Sequence, residues 1–350
     1  MPDSKNRFED IKFFLRENSI KFDTDFNLSK KSWLKAGGQF KLYIQPNNLQ
    51  SLKICINYFK EINIKFYVVG NLSNIIFRDG EIYTPIINLK NMDNIEVLSL
   101  QGENIEINAF SGLSIFKLAN YVSYNLGICG LEGLVGIPGS LGGGIYMNAS
   151  SYESYISEFI TEVKVIDENS NVFDLKKNDI FFEWRSSIFH RKKNLLIVSA
   201  KFKFPKKNKV EKKAIDKNIK KVKEHRFYFQ EKNKPNLGSL FATKNLYEDI
   251  KNVNMIFKIL NLLNNLITRI IVKFFGSKML VNYRKYITKI YAIFLGVNKN
   301  SGFKISERTI NCLVNVGSEN SNQAIQLIKK MQKKINYTQK LENIIIENIE

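Results

Sequence analysis

The alternation of apolar and polar residues divides the chain into short strand-like runs and a few amphipathic helices. Apolar runs bounded by turn residues predict strands in two successive blocks. The predicted strands are 40–44, 64–69, 75–77 and 82–89 in the first block, and 105–110, 162–167, 171–175 and 195–204 in the second. One helix is predicted within each block, at 49–59 and at 114–126. The pattern therefore predicts an α+β protein with two sheet-containing lobes.

Helical segments are also predicted outside these blocks. Apolar periodicity predicts a short amphipathic helix over 8–15 and another helix over 321–334. Residues 253–275 are the most apolar part of the C-terminal third, but lysines, an arginine and asparagines interrupt the run. We therefore predict a packed or partner-facing amphipathic helix rather than a membrane span, with contact at a membrane surface as the alternative.

Length and composition narrow the classes of protein. A chain of 350 residues can form two or three packed units, and 44% apolar with 25% charged residues excludes general disorder. Cys55, Cys129 and Cys312 lie far apart without a CxxC pair, which excludes a disulfide framework and a zinc knuckle. The two histidines, His190 and His225, exclude a His-rich metal site, and no metal site is predicted.

The net charge of +20 raises the question of nucleic-acid binding. Residues 206–226 hold ten Lys and Arg against three Asp and Glu. Lysine is overused along the whole chain, however, and the basic stretch lacks interleaved aromatic residues for base stacking. These features favour a solvated basic helix, with a polyanion site as the alternative. The first ten residues contain no apolar signal core, so a cytoplasmic location is expected.

A glycine-rich segment is the first candidate site. Nine of the 19 glycines fall within 112–144, and between 127 and 142 they recur at every third position. The segment has neither the P-loop pattern nor a GxGxxG after a strand. Glycine amides can approach a pyrophosphate closely, because no side chain stands in the way. A tightly packed turn between lobes is the alternative interpretation.

A second candidate site directly follows the predicted strand 64–69. The residues there are Gly70, Asn71, Leu72, Ser73 and Asn74. Small polar side chains and free amides at the end of a strand suit a phosphate or a ribose. A plain turn between two strands is the alternative.

The order of these segments resembles one family, the UDP-N-acetylenolpyruvoylglucosamine reductases, over about residues 32–341. The segments that carry the resemblance are SWLKAGG (32–38), VVGNLSNIIFRDG (68–80), GLEGLVGIPGSLGGGIYMNASSYE (130–153), EWRSS (183–187), PNLGSLF (235–241) and FKISERTINCLVNVG (303–317). The third segment is the most specific, because chance agreement over 136–149 is remote.

The resemblance implies a fold and a division into domains. The expected fold is a two-lobed FAD-binding domain of the PCMH or vanillyl-alcohol-oxidase type, followed by an α+β C-terminal substrate domain. The expected boundaries are an N-terminal lead-in at 1–31, the FAD domain at 32–205 with lobes of about 32–100 and 101–205, a basic helical linker at 206–234, and the C-terminal domain with its long apolar insertion at 235–350.

The resemblance also implies site residues. The residues expected to hold FAD are Gly70, Asn71, Leu72, Ser73, Asn74, Gly136, Ile137, Pro138, Gly139, Ser140, Gly142 and Gly143. By the same resemblance, Ser239 would donate a proton during catalysis and Arg185 would stabilise negative charge on the substrate.

The implied reaction is the NADPH-dependent reduction of UDP-N-acetylglucosamine enolpyruvate, through FAD, to UDP-N-acetylmuramate for peptidoglycan synthesis. The implied protein is a monomer that binds a UDP-sugar, with no nucleic-acid partner. A diverged flavoenzyme of the same fold, acting on another sugar nucleotide for a surface polysaccharide, is the first alternative. A non-enzymatic nucleotide-binding or polyanion-binding protein is the second.

The sequence departs from the family pattern at three places. Leu72 stands where the family has the third glycine of its first flavin loop, and leucine tolerates a positive φ poorly. Ala242 and Thr243 precede Lys244, so the family's cation after the serine is lost or displaced. The family's C-terminal glutamate falls at Ile344, and this puts the activity in doubt unless Glu342 replaces it.

Overall fold

The structure is a computed structural model that describes residues 2–297 and 301–347, and it confirms the predicted α+β class. The α-helices of these residues are α1 (Pro2–Glu17), α2 (Leu28–Lys31), α3 (Leu49–Glu61), α4 (Ile115–Asn120), α5 (Leu141–Tyr146), α6 (Lys212–Phe229), α7 (Leu246–Asp249), α8 (Met255–Phe274), α9 (Gly276–Phe294) and α10 (Ser321–Lys334). The strands are β1 (Lys21–Asn27), β2 (Gln39–Gln45), β3 (Tyr67–Val69), β4 (Ile75–Phe77), β5 (Glu81–Ile82), β6 (Ile86–Asn88), β7 (Ile95–Ser99), β8 (Asn104–Phe110), β9 (Ser150–Ser151), β10 (Ser154–Tyr155), β11 (Ile160–Ile166), β12 (Val172–Lys176), β13 (Leu196–Pro205), β14 (Phe303–Ile305), β15 (Leu313–Asn315) and β16 (Ile344–Ile346).

The first lobe is built on a small mixed sheet. Its strand order is β1-β2-β6-β3, with β5 beside β2; β1 is antiparallel to β2, while β6 and β3 are added in parallel. Helices α1 and α3 cover one side through buried residues such as Leu15, Leu52 and Phe59. Residues 21–27, which lie in the predicted lead-in, thus form an edge strand of this sheet.

The second lobe is an antiparallel five-stranded sheet in the order β12-β11-β13-β8-β7. Its largest pairing is β8 with β13, which runs from Ser199 opposite Phe110 to Pro205 opposite Asn104. Inward residues of these strands pack against α4, α5 and the first half of α6 in one apolar cluster. Helix α6 belongs to this packing through Ile215 and Ile219, while most of its lysines remain exposed.

The C-terminal region packs against the first lobe. Strand β16 pairs in parallel with β4, with Ile344 opposite Ile75. One apolar cluster contains Phe241 and Phe303 of this region together with Leu34 from the loop before β2. This packing brings β16 beside the second candidate site, the loop that follows β3.

The structure corrects several predicted boundaries. The strand predicted at 64–69 forms only at β3, and the strand predicted at 82–89 divides into β5 and β6 on either side of Pro85. Proline has no N–H to donate to a sheet, which accounts for the break. The helix predicted at 114–126 is α-helical only in α4 and continues as a π-helical turn over Tyr121–Asn125.

The apolar segment predicted at 253–275 forms α8. This helix is long and apolar enough, by length and composition alone, to cross a membrane. Only 17% of its apolar 18-residue stretch is buried in the protein. Its inner face packs against the C-terminal domain, while much of its apolar surface is exposed.

Candidate functional site

A cavity of about 1970 Å³ is lined by residues of both lobes and of the C-terminal region. All fourteen residues predicted from the sequence as cofactor-binding or catalytic contribute to its wall. Ligand pockets commonly measure about 300–1000 Å³. This cavity is therefore large enough for a dinucleotide and a second ligand side by side.

The two candidate loops meet within this cavity. The Asn71 side-chain amide donates a hydrogen bond to the Pro138 carbonyl oxygen at 3.1 Å. A Cβ added to Gly70 would lie 2.2 Å from Oγ of Ser140, so no larger residue fits there without displacing that serine. The backbone of Gly70 is held from behind by buried Asn88, whose amide donates to the Gly70 carbonyl at 2.6 Å.

Several backbone N–H groups in these loops have no hydrogen-bond acceptor within residues 2–297 and 301–347. They belong to Asn71, Leu72, Ser73, Gly139 and Ser140. Clustered backbone N–H groups without protein acceptors form the type of concavity that binds phosphate oxygens. The arrangement fits the diphosphate of a dinucleotide.

Other predicted cofactor residues have their polar groups engaged by the protein itself. The Gly142 amide donates to the Ser111 carbonyl at 2.8 Å. The Gly143 amide donates to Oγ of Ser140, which caps α5. The Asn74 side chain donates to the Glu342 carbonyl at 3.0 Å. These residues shape the wall through the backbone and do not present free donors there.

Leu72 adopts the left-handed conformation that favours glycine, with φ of +54°. This conformation costs a leucine about 1–2 kcal/mol. The side chain is 5% exposed and packs in the first lobe near Val69 and Phe77, so its burial offsets the strain. The substitution therefore keeps the shape of the glycine loop.

The glycine-rich segment also positions Arg185. The Asn148 side chain, just beyond α5, donates to the Glu183 carbonyl at 2.9 Å. The Ser187 hydroxyl donates to the Tyr146 carbonyl at 2.7 Å. Between these two anchors Arg185 takes a φ of +53°, a strained conformation for a residue with a side chain.

Arg185 faces a carboxyl group that the sequence left unassigned. Its Nε lies 3.2 Å from Oε1 of Glu342, and both side chains are largely buried. The pair meets the distance of an ion pair, whereas Nε lacks the angle of a hydrogen bond. Burial raises the pKa of Glu342 above its ordinary value, and the charge of Arg185 opposes that shift.

Ser239 belongs to the same wall. Its neighbour Leu240 accepts a hydrogen bond from the Glu342 amide at 2.8 Å, and the Asn343 side chain donates to the Ser239 carbonyl at 3.2 Å. Ile344 lies in β16, where its amide donates a hydrogen bond to the Asn74 carbonyl. Glu342, two residues before the family's position, is thus the carboxyl group that meets Arg185 in the cavity wall.

Lys244, the cation displaced from the family's position after Ser239, lies near the same aromatic ring as Arg185. Lys244 Nζ stands 5.6 Å from the ring centroid of Trp184, and the Arg185 guanidinium carbon stands 5.1 Å from the same ring. Two positive groups therefore contact one aromatic side chain, and of these residues Arg185 lines the cavity whereas Lys244 and Trp184 do not.

Arg226 was missed by the sequence analysis, which placed it in a solvated basic helix. It is buried, donates to the Gly133 carbonyl at 3.0 Å and to Oγ of Ser151 at 2.9 Å, and lines the cavity. Its Nε has no hydrogen-bond partner among the described residues. Its position in the sequence could have indicated burial, because Arg226 follows Ile219 and Val222 at helical spacing and lies on the same face of α6.

Comparison with known proteins places the chain among related sequences. A family profile described as an FAD binding domain matches residues 40–176. A UDP-N-acetylenolpyruvoylglucosamine reductase of Halalkalibacterium halodurans is 32% identical over 216 residues, which cover 61% of this chain and 68% of the relative. The chain belongs to the UDP-N-acetylenolpyruvoylglucosamine reductase family. Another relative of that name, from Pelagibacter ubique, is 36% identical over 58% of this chain and 65% of its own length.

The sequence alignments leave part of these relatives unmatched, since they span 65% of the Pelagibacter ubique reductase, which is less than two thirds, and 68% of the Halalkalibacterium halodurans reductase. The structural comparison extends further. A crystal structure of the reductase from Thermus caldophilus matches 93% of this chain and 98% of its own, with a TM-score of 0.64 and 18% identity. This match, with the FAD binding domain, confirms the predicted two-lobed flavin fold followed by an α+β C-terminal domain.

Proposed function

We propose that this member of the UDP-N-acetylenolpyruvoylglucosamine reductase family uses NADPH and FAD to reduce UDP-N-acetylglucosamine enolpyruvate to UDP-N-acetylmuramate. The observation that supports it most is the joint placement of the two flavin-loop segments, Arg185 and Ser239 around one cavity. The family's relatives carry that activity in their names.

The residues present fit an FAD diphosphate. Unbonded N–H groups of 71–73 and 139–140 line the cavity, and Gly70 allows the two loops to touch. The partner-free Nε of Arg226 adds a buried positive group to the same wall. We assign the diphosphate of FAD to the loops and leave the remaining volume to the sugar nucleotide and NADPH.

When bound, FAD would supply the hydride-transfer chemistry between NADPH and the enolpyruvyl group. Arg185 would stabilise the negative charge that develops on the carboxylate side of that group. Ser239 would supply a proton to the adjacent carbon, as the resemblance implies. Glu342, whose pKa is raised by burial, would support this transfer in place of the family's glutamate at position 344.

We further propose that the protein is cytoplasmic and acts as a monomer on a UDP-sugar.

The experiment is an NADPH-oxidation assay on the purified flavoprotein with UDP-N-acetylglucosamine enolpyruvate, with the product identified by mass spectrometry. We expect stoichiometric UDP-N-acetylmuramate. Flavin reduction by NADPH without turnover of this substrate would refute the proposed substrate, while leaving flavin binding intact.

A further inference from the structure

Helix α8 presents its apolar residues outward. Large exposed side chains recur at helical spacing along one face: Met255, Ile256, Ile259, Leu262, Leu263, Leu266, Ile267, Ile270 and Phe274. Leu262 is 63% exposed and Leu266 is 58% exposed. Such a continuous apolar stripe is unusual on a free surface and marks a face that binds something apolar.

The inner face of α8 carries asparagines between the buried residues Phe257 and Ile271, and these asparagines fix the orientation of the helix. Asn261 is 3% exposed and donates to the Tyr247 carbonyl at 2.9 Å. Asn265 donates to Glu248 at 2.8 Å, and Asn264 accepts from the Tyr283 hydroxyl of α9. These hydrogen bonds fix which face is inward, and the apolar stripe cannot turn into the protein without breaking them.

The end of the hairpin formed by α8 and α9 extends the same character. Val272, Phe274, Phe275 and Met279 are all exposed around the turn between the two helices, with Phe274 at 66%. Lys273 Nζ lies 5.2 Å from the Phe274 ring centroid. Exposed aromatic and aliphatic groups beside lysines are the arrangement of helices that lie in a membrane interface.

The charge of this hairpin has one sign. Seven Lys and Arg and no Asp or Glu occur between 255 and 294, the span of the two helices. On α8 the cations are Lys258, Arg269 and Lys273, which at 100° per residue follow one border of the apolar stripe. None of these three forms an ion pair with a residue in the described part of the chain. The face therefore complements a negatively charged apolar surface.

We propose that the α8–α9 hairpin docks the protein onto the surface of an anionic lipid bilayer, with the apolar stripe in the interface and the cations at the headgroups. A second copy of the chain would bring the same cations against each other, so self-association is disfavoured by charge. An anionic bilayer satisfies both the stripe and its basic border. Cytoplasmic leaflets carry such anionic lipids.

The test is co-flotation of the full-length flavoprotein with vesicles of phosphatidylcholine, with and without phosphatidylglycerol. We expect binding to the mixed vesicles that weakens as salt is added. Leu262→Gln with Leu266→Gln should lower partitioning at least tenfold, because two leucines no longer enter the interface. Lys273→Gln with Lys278→Gln should lower it about 25-fold, at about fivefold for each charge removed.

The matched control is Lys213→Gln with Lys220→Gln on the exposed side of α6, which removes the same net charge elsewhere and should leave binding nearly unchanged. Circular dichroism verifies that each variant is folded. Three results would overturn the proposal: no binding to the mixed vesicles, binding equally reduced by the control pair, or a dimer in sedimentation that the leucine pair abolishes. NADPH-driven turnover in solution, measured in parallel, keeps this test separate from the proposed function.

Discussion

Replacing Glu342 by Gln tests whether this carboxyl group has taken over the role of the missing family glutamate. The substitution preserves volume and hydrogen-bonding atoms but removes the charge and the transferable proton. Glu342 meets Arg185 at 3.2 Å, and its pKa is raised by burial, so the neutral acid forms more readily than in water. Two roles are compatible with this geometry: support of proton transfer, or simple positioning of Arg185.

The pH dependence separates these roles better than the size of the loss. General acid catalysis contributes about 10²–10⁴-fold to a rate, or roughly 3–5 kcal/mol. Removing one partner of a largely buried ion pair costs a similar amount, about 3–5 kcal/mol, because the other charge is left without its partner. A proton donor is lost as pH rises, whereas an ion pair that positions Arg185 is lost as pH falls. We expect the loss with rising pH.

The assay is stopped-flow absorbance of the flavin in two separate half-reactions. Reduction by NADPH should be unchanged in Glu342→Gln, whereas reoxidation by UDP-N-acetylglucosamine enolpyruvate should slow at least 100-fold. In the wild-type protein reoxidation should slow as pH rises through the raised pKa of Glu342, and the variant should lack this limb. Glu307→Gln removes the same charge at a residue outside the cavity lining, beside Lys285, and serves as the control.

The same variant has a stability consequence of defined sign. The folded protein holds the Glu342 proton more tightly than the unfolded chain, because burial raises the pKa. Stability therefore decreases as pH rises from the unfolded to the folded pKa, and Glu342→Gln should remove that dependence in denaturant titrations. A loss below fivefold in reoxidation, or an equal loss in both half-reactions, would refute the role of Glu342 in proton transfer.

Three further variants probe the rest of the cavity. Ser239→Ala should leave flavin reduction by NADPH intact and slow product formation by about 10²–10⁴-fold, as rapid-quench measurement of each half-reaction would show. Gly70→Ala places a methyl group against Oγ of Ser140 and should lower the free energy of unfolding by about 1–3 kcal/mol, with loss of FAD on gel filtration. Arg226→Met leaves the Gly133 carbonyl without its donor and should cost about 1–3 kcal/mol in urea denaturation, with weaker FAD retention.

For each of these three variants, one result would contradict the prediction. Equal slowing of both half-reactions by Ser239→Ala would contradict a proton donor and indicate a binding defect. Full FAD occupancy in Gly70→Ala would show that the two loops need not touch to hold the cofactor. Unchanged stability in Arg226→Met would mean that this arginine faces solvent.

The bounds of a helix or strand could be predicted where its apolar residues recur with a regular period. Helices α3 and α10 and strand β13 lie within two residues of their predicted bounds, because one side of each is apolar and buried. Helix α9 was missed although its buried residues Leu280, Ile287 and Tyr291 recur at helical spacing, so its signal was present in the sequence. Strand β1, with sequence KFDTDFN, was missed because its edge position leaves most residues partly exposed.

The candidate site was predictable where backbone determines it. Glycine and proline constrain the backbone through their residue type alone, so the glycines and Pro138 could be recognised in the sequence. Every predicted cofactor residue lines the cavity. Glu342 and Arg226 were not assigned roles, because their positions depend on contacts far away in the chain. Glu342 reaches Arg185 only after β16 pairs with β4, and Arg226 reaches Gly133 only after α6 folds onto the second lobe.

The central claim is that the loops at 70–74 and 136–143 hold FAD in a cavity shared with the sugar nucleotide. The most direct measurement is the visible absorption spectrum of the protein after reconstitution with FAD, followed by anaerobic titration with NADPH and then with UDP-N-acetylglucosamine enolpyruvate. The account predicts flavin bands that NADPH bleaches and the substrate restores, one equivalent for one. A colourless protein that retains no flavin after reconstitution would contradict it.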